Sequence, residues 1–476
     1  MVMNPNKTHY ASIFNDVLVP VTQGPSSSNT VGPFRIGTLA RAILKVEPSE
    51  LRVRMSTKGG YAATFYNMES DKGFLTGVLG RDLISDDLGE VYDEAARRGL
   101  KYEFVFVDEM PAIPTELAEI RLSSDQETIE LRGISLGGGE ILIDEINGEC
   151  CEVKGIYEEE IRIAGSDEPR IIPSVYPLHT DPSAVPPFTT AKEMLAYALS
   201  NGEELWEAAV DYEMSLTGSD REEVFRTAEK TLETAYRAIQ RGLEPGVSFE
   251  GITVAKAPEI REKMKDADLL PMGLGDSGGL EALAMMEYSN AHGIIVCMPT
   301  GGAAGIVPAA IRSAAETLGR AREDEVKALL TAGLIGVFYY PTHYHGALGC
   351  QAEVGIATSM AAAALAAFIT KDPEAVERAA VLGMQYLLGQ VCDPVEGYPQ
   401  VPCFIRNVAS VPVAAACANY GVLGLDTAVG LDEMVGAVLR VGEALRERRI
   451  NDLGTCACCY RANPGSTAGK KTSEGE

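Results

Sequence analysis

GCQAEVGIATSMAAAALAAFIT, residues 349–370, is the stretch that decides the fold. After Glu353 it runs without formal charge and is mostly alanine and aliphatic, from Val354 to Thr370. Those 17 residues fall short of the ~20 that an apolar helix needs to cross a bilayer. With no charged or strongly polar stripe, the segment reads as a helix buried on all sides at the centre of a helical body. The preceding stretch, Ala328 to Ala352, is also uncharged, but Pro341, two histidines and four glycines break it, so it is not read as a membrane span either.

Helical spacing continues on both sides of this core. AKEMLAYALSNGEELWEAAVDYE, REEVFRTAEKTLETAYRAIQRG, VKALLTAGLIG, PEAVERAAVLGMQYLLGQ and LDEMVGAVLRVGEALRERR repeat apolar residues at helical intervals, with Gly and Pro between them. Residues 190–462 are therefore expected to form a mostly α-helical domain. Nearer the N-terminus, FRIGTLARAIL and LISDDLGEVYDEAARRG read as amphipathic helices, whereas YEFVFVD, ELAEIRLSS and TIELRGISL alternate as strands do. The fold class is thus an α+β domain over 1–156 followed by the helical domain. Residues 157–189, rich in Pro, Ser, Asp and Glu without a sustained period, read as a linker, and 463–476 as a disordered polar tail.

The 476 residues are 46% apolar and 23% charged, a globular composition. A net charge of −27 opposes binding to nucleic acid and to anionic membrane, because phosphate repels it. The first twenty residues have neither the basic start nor the apolar run of a secretory signal, so a cytoplasmic location is expected. Such a compartment disfavours disulfides. Ten cysteines, seven of them in the last 130 residues, therefore direct attention to metal or redox chemistry.

Cys350, Cys392 and Cys403 each fall at a helix boundary or in a Gly/Pro loop, where backbone N–H groups are free to face a cofactor. Their separations, 41 and then 10 intervening residues, match neither ferredoxin runs nor paired zinc knuckles. Spacing alone favours inert buried thiols over ligands. GPSSSNTVGPFRIG (24–37) is a hydroxyl-rich turn leading into a helix. Ser26, Ser27, Ser28, Asn29 and Thr30 offer donors for a substrate carboxylate, or merely a serine cap. The glycines of LGGGE (136–140) suit a bend or bulge better than a phosphate cradle, and GLGDSGG (273–279) lacks the context of a nucleotide fingerprint. Lys58, in STKGG, is the one lysine in a loop suited to a pyridoxal-phosphate Schiff base, and nothing else supports that reading.

Taken together, five stretches resemble the iron–sulfur-dependent L-serine dehydratases: GPSSSNTVGPFRIG, ISLGGGE (134–140), MPTGGAAGIVPAAI (298–311), GCQAEVGIATSMAAAALAA (349–367) and CDPVEGYPQVPCFIRNVAS (392–410). The likeness covers roughly residues 12–450, with the family's β and α domains in one chain. It implies a [4Fe-4S] cluster on Cys350, Cys392 and Cys403, one iron left open as a Lewis acid for the β-hydroxyl of L-serine or a related small amino acid. Loss of water would then give an enamine, whose imine hydrolyses to a 2-oxo acid and ammonia. Arg406 is placed to pair with a substrate carboxylate or with the cluster's charge, or else to form a surface or interdomain salt bridge. A cysteine of TCACCY (Cys456, Cys458 or Cys459) is a possible fourth iron ligand, by analogy with C-terminal cysteines in some members.

Three positions depart from the family pattern. Asn29 stands where the family has histidine, Gly301 where it commonly has asparagine, and FYYPTHYHGALG precedes Cys350 in place of a small polar stretch. An amide accepts no proton near neutral pH, so His343 and His345 become the expected catalytic residues. A small-molecule substrate and a homodimer are expected. The competing readings are a cluster-bearing sensor without turnover, a lyase on another small hydroxy or thiol acid, and a pyridoxal-phosphate lyase with structural cysteines.

Overall fold

A computed structural model describes residues 9–84, 87–111, 116–163, 168–342, 348–392, 398 and 400–447. His343, His345, Cys456, Cys458, Cys459 and the expected tail lie outside the described residues. The described residues contain ten strands: β1 (Val21–Gln23), β2 (Glu50–Ser56), β3 (Lys101–Val107), β4 (Glu116–Ser123), β5 (Thr128–Gly137), β6 (Glu140–Ile146), β7 (Glu149–Val153), β8 (Glu159–Ile161), β9 (Arg170–Ile172) and β10 (Ile294–Val296). Six form one sheet in the order β3-β2-β4-β5-β6-β7, with β2 and β3 parallel and the other pairs antiparallel.

Alternation in β2 and β5 turns Leu51, Val53, Ile129 and Leu131 inward, where Ile36, Leu39 and Ile43 of the helix Gly32–Leu44 cover them. That helix and its neighbour Ser70–Val78 approach through facing glycines. A Cβ on Gly37 would lie 2.7 Å from the Phe74 carbonyl oxygen, and one on Gly77 would lie 2.2 Å from that of Phe34. The three glycines of LGGGE are the β5–β6 turn, each at positive φ, and the bend reading holds.

After β10 the described residues are helical apart from turns, loops and a single bridge residue, Tyr398. The helix Val354–Ala367 is buried on all sides over residues 354–366, as its sequence implied. Around it pack the helices Ile306–Leu318, Arg322–Phe338, Pro373–Leu387 and Gln400–Val422. Small residues let them close in: a Cβ on Gly383 would come within 3.0 Å of the Ser359 backbone. Two stretches, Cys350–Ala367 and Gln400–Val422, are long and apolar enough to cross a membrane by composition. The first is 89% buried within the protein. GLGDSGG is the start of the helix Leu274–Asn290, where Gly278 meets Ser313 and Val411.

The expected domain borders shift in two places. The segment before residue 24 packs with the helical body: Ile13, Phe14, Val17 and Leu18 join its core, and β1 pairs with β10. Buried Glu213 fixes it, accepting from Ser12 Oγ at 2.5 Å and from the Ile13 N–H at 2.8 Å. Within the expected linker 157–189, β8 and β9 pair, and Ile161, Ile163 and Ile172 join the core beneath the sheet. Strands of three residues are too short to register a period, which is why composition read that segment as a connection.

Candidate active site

The hydroxyl-rich turn lies between the two cores. Ser26 caps it, its Oγ accepting from the Asn29 N–H at 3.1 Å. Thr30 Oγ1 donates to the Met68 carbonyl at 3.0 Å, and Ser135 Oγ of β5 donates to the Ser28 carbonyl at 2.8 Å. The Asn29 side-chain oxygen accepts from Thr64 at 2.9 Å and from Ser70 at 3.4 Å. Ser27, Asn29 and Thr30 are buried, while Ser26 and Ser28 remain partly exposed. Only the last two turn hydroxyls are therefore open to a ligand.

The segment around Gly301 closes on this turn from the helical side. The Gly301 N–H points to Ser27 Oγ at 3.5 Å, and a Cβ there would sit 3.2 Å from the Pro25 oxygen and 3.3 Å from the Ser27 nitrogen. Glycine at 301, one of the departures noted above, fits this close approach. Cys297, fully buried nearby, hydrogen-bonds with Ser27, and burial pushes its thiol up to about 12.

The three cysteines expected to act together lie close enough for the charges of Cys350 and Cys392 to act on Cys403. Cys350 opens the turn before the buried helix, Cys392 follows the helix Pro373–Leu387, and Cys403 lies near the start of Gln400–Val422. The Cys403 thiol is pushed well above its ordinary value, first by burial and then by the charges of Cys350, Glu353 and Cys392, with Arg406 opposing them. Burial likewise pushes Cys350 up to about 12, with Glu353 adding to it and Arg406 hydrogen-bonding against it. Such thiols give up their protons only to a strong positive charge. Three soft donors on three separate segments, with Arg406 beside them, are the donor type that an iron–sulfur cluster would take; among the described residues, these cysteines included, no three ligating groups are gathered closely enough to hold a metal ion.

Side-chain amides lock these segments together. Gln351 Nε2 donates to the Leu348 and Val438 carbonyls, both at 3.0 Å, and its oxygen accepts from the Gly389 N–H at 2.8 Å. Arg406 Nη1 donates to the Val391 carbonyl at 3.0 Å, next to Cys392. Asn407 Nδ2 donates to the Gly302 and Cys403 carbonyls at 2.8 and 2.9 Å, so the Gly301 turn is tied to the third cysteine.

Two carboxyls that sequence reasoning did not single out face this assembly. Glu353, three residues beyond Cys350, is raised by burial, while the neighbouring Thr300 side chain and the charge of Arg406 lower it. Glu116, at the start of β4, is pushed up to about 7, chiefly by desolvation; Glu353 adds to this, and a hydrogen bond with Asn29 opposes it. Lys58 is exposed in the turn after β2, where its backbone N–H is held by Ser56 Oγ at 3.2 Å.

Comparison with known proteins agrees with the geometry. Residues 200–451 match the family model described as serine dehydratase alpha chain. "Probable L-serine dehydratase, alpha chain" of Bacillus subtilis (strain 168) is 32% identical over 266 residues, 55% of this chain and 89% of that protein. "L-serine dehydratase" of Streptomyces coelicolor is 30% identical over 464 residues, 90% of this chain and 94% of the relative. "L-serine dehydratase 1" of Escherichia coli (strain K12) is 27% identical over 89% of this chain and 94% of its own length.

Proposed function

The chain belongs to the serine dehydratase family, and from that premise we propose that it is a [4Fe-4S]-dependent carbon–oxygen lyase that deaminates L-serine or a closely related β-hydroxy amino acid. What supports the cluster is the family membership together with the electrostatic influence of Cys350 and Cys392 on Cys403, with Arg406 opposing them. When bound, the cluster supplies a Lewis-acidic iron with an open position for a hydroxyl. The chain's own residues supply the rest. Ser26 and Ser28, partly exposed at the turn, donate to the substrate carboxylate. Arg406 offsets the negative charge of the thiolates and holds the Cys392 segment in place.

Departure of the β-hydroxyl requires removal of the Cα proton, and His343 or His345 is the residue assigned to take it. Enamine, imine and finally 2-oxo acid with ammonia follow in water. One cysteine of Cys456, Cys458 and Cys459 is assigned as a displaceable fourth ligand that shields the cluster from oxygen. A homodimer working in the cytoplasm completes the reading.

One panel of anaerobically isolated variants tests it. Cys350→Ser, Cys392→Ser and Cys403→Ser should each lose iron from the parent's about four per chain. His343→Ala and His345→Ala should keep the iron, with at least one losing about 10²–10⁴-fold in turnover. Replacing Cys456, Cys458 and Cys459 together by serine should shorten cluster lifetime in air. Full iron in all three cysteine variants would refute the ligand set, and full activity in both histidine variants would refute the base.

A further inference from the structure

Building on the dehydratase reading, we propose that Glu116 receives the substrate's α-ammonium group, so that the site selects α-amino acids over the corresponding hydroxy acids. Register fixes its place: Glu116 is paired with Ser135 across β4 and β5, and the Ser135 hydroxyl holds the Ser28 carbonyl. The end of the sheet therefore brings Glu116 to the same turn whose Ser26 and Ser28 hydroxyls are open. Thr64 and Ser70 occupy the oxygen of Asn29, and its amide nitrogen donates to Ser28 Oγ at 3.2 Å and to Ser26 Oγ at 3.5 Å, while the same side chain lowers the Glu116 carboxyl. Asn29 thus joins a site for anions to a carboxyl. The carboxylate and ammonium of an α-amino acid leave one carbon atom and need two such receptors side by side.

Charge accounting gives the carboxyl its role. Glu116 is faced by Asn29 from the turn, Glu353 from the helical side and Tyr61 from the segment after β2. The residues just before it, Pro111 to Thr115, contain no titratable group. Among the described residues no lysine or arginine pairs with Glu116, and Arg406 acts on Glu353 instead. Two neighbouring carboxyls with one guanidinium leave a deficit of positive charge that an ammonium fills. Glu116, Glu353, Ser26, Ser28, Cys392, Cys403 and Arg406 are all partly exposed, whereas Ser27, Asn29, Thr300 and Cys350 are buried. The partly exposed set thus includes groups from the turn, from the sheet and from the helical side. Because burial holds the Glu116 carboxyl near about 7, binding an ammonium expels its proton, and affinity for amino acids should fall as pH drops below that range.

L-Alanine and L-lactate test this directly. They differ only in ammonium against hydroxyl, and neither has a β-hydroxyl to lose. Calorimetry on the anaerobic holoenzyme should show L-alanine binding at least about tenfold tighter than L-lactate. Glu116→Gln should lose at least about tenfold in L-alanine affinity, together with its pH dependence, while L-lactate binding and iron content stay at parent values. Glu116→Asp should retain part of the preference and guards against a misfolded glutamine variant. A glutamine variant with parent-like preference, or one that loses both ligands equally, overturns the proposal. If the parent prefers L-alanine through Glu116 yet releases no 2-oxo acid from L-serine, the dehydratase reading fails and the ammonium site stands.

Discussion

Arg406 shows how one side chain serves two segments. Its guanidinium holds the Val391 carbonyl and hydrogen-bonds Cys350 from its position one turn beyond Cys403. Partners outside the ligand set commonly tune metal affinity by about 10–100-fold. Arg406→Ala should therefore lower iron retention during chelator challenge by that order, and Arg406→Lys, which keeps charge but not the planar fork, should fall between. Retention equal to the parent in the alanine variant would reduce Arg406 to a surface contact. At this scale the sequence was partly legible. The three cysteines and Arg406 stand in quoted motifs, and in the structure their charges act on one another. Glu116 escaped because it opens a strand that read only as alternating, one acid among 68, and only the pairing with Ser135 turns it toward Asn29. Glu353 stood inside a quoted motif, but nothing in the motif alone showed that Thr300 and Arg406 act on its carboxyl.

Among the elements, most long helices and the strands read at 102–108, 116–124 and 128–136 are where the pattern put them, whereas β2, β6, β7 and the short elements were not singled out, and the helix read over 83–99 covers only Val91–Arg98. The Val354–Ala367 helix was readable because burial on all sides leaves a composition that no surface helix has. The β8–β9 pair and the Ile13–Val17 turn were hidden, since their places depend on distant partners such as Glu213. That contact has a pH signature. Desolvation pushes the Glu213 carboxyl up to about 7 in the folded protein, against hydrogen bonds from Ser12 and Ile13 that lower it. The unfolded chain releases this proton at about 4.3, so the folded state binds more protons between the two values. Its contribution to stability is thus complete below the lower value and diminishes as pH rises through about 7. Glu213→Gln, which mimics the protonated form, should melt close to the parent at pH 5 and gain on it at pH 8. If the difference between the two melting temperatures does not change with pH, the carboxyl is not desolvated in the folded state.

Across the whole molecule, the sheet domain supplies the hydroxyl turn and Glu116, and the helical domain supplies the thiols, Arg406 and Glu353. The site is complete only where the two meet, and Asn29, Ser27 and Gly301 stand at the junction. Sequence order could name the two halves but not their facing residues, because that junction depends on close approach at glycines and not on any local period. Joined in this way, the halves should give chemistry that depends strictly on the cluster. The most direct measurement is 2-oxo acid release from L-serine against iron per chain, in anaerobic samples bleached stepwise by air. Turnover should fall in proportion to the iron lost, from a parent holding about four irons. Turnover that persists in iron-free protein, or a fully loaded protein that releases no 2-oxo acid, would contradict the account.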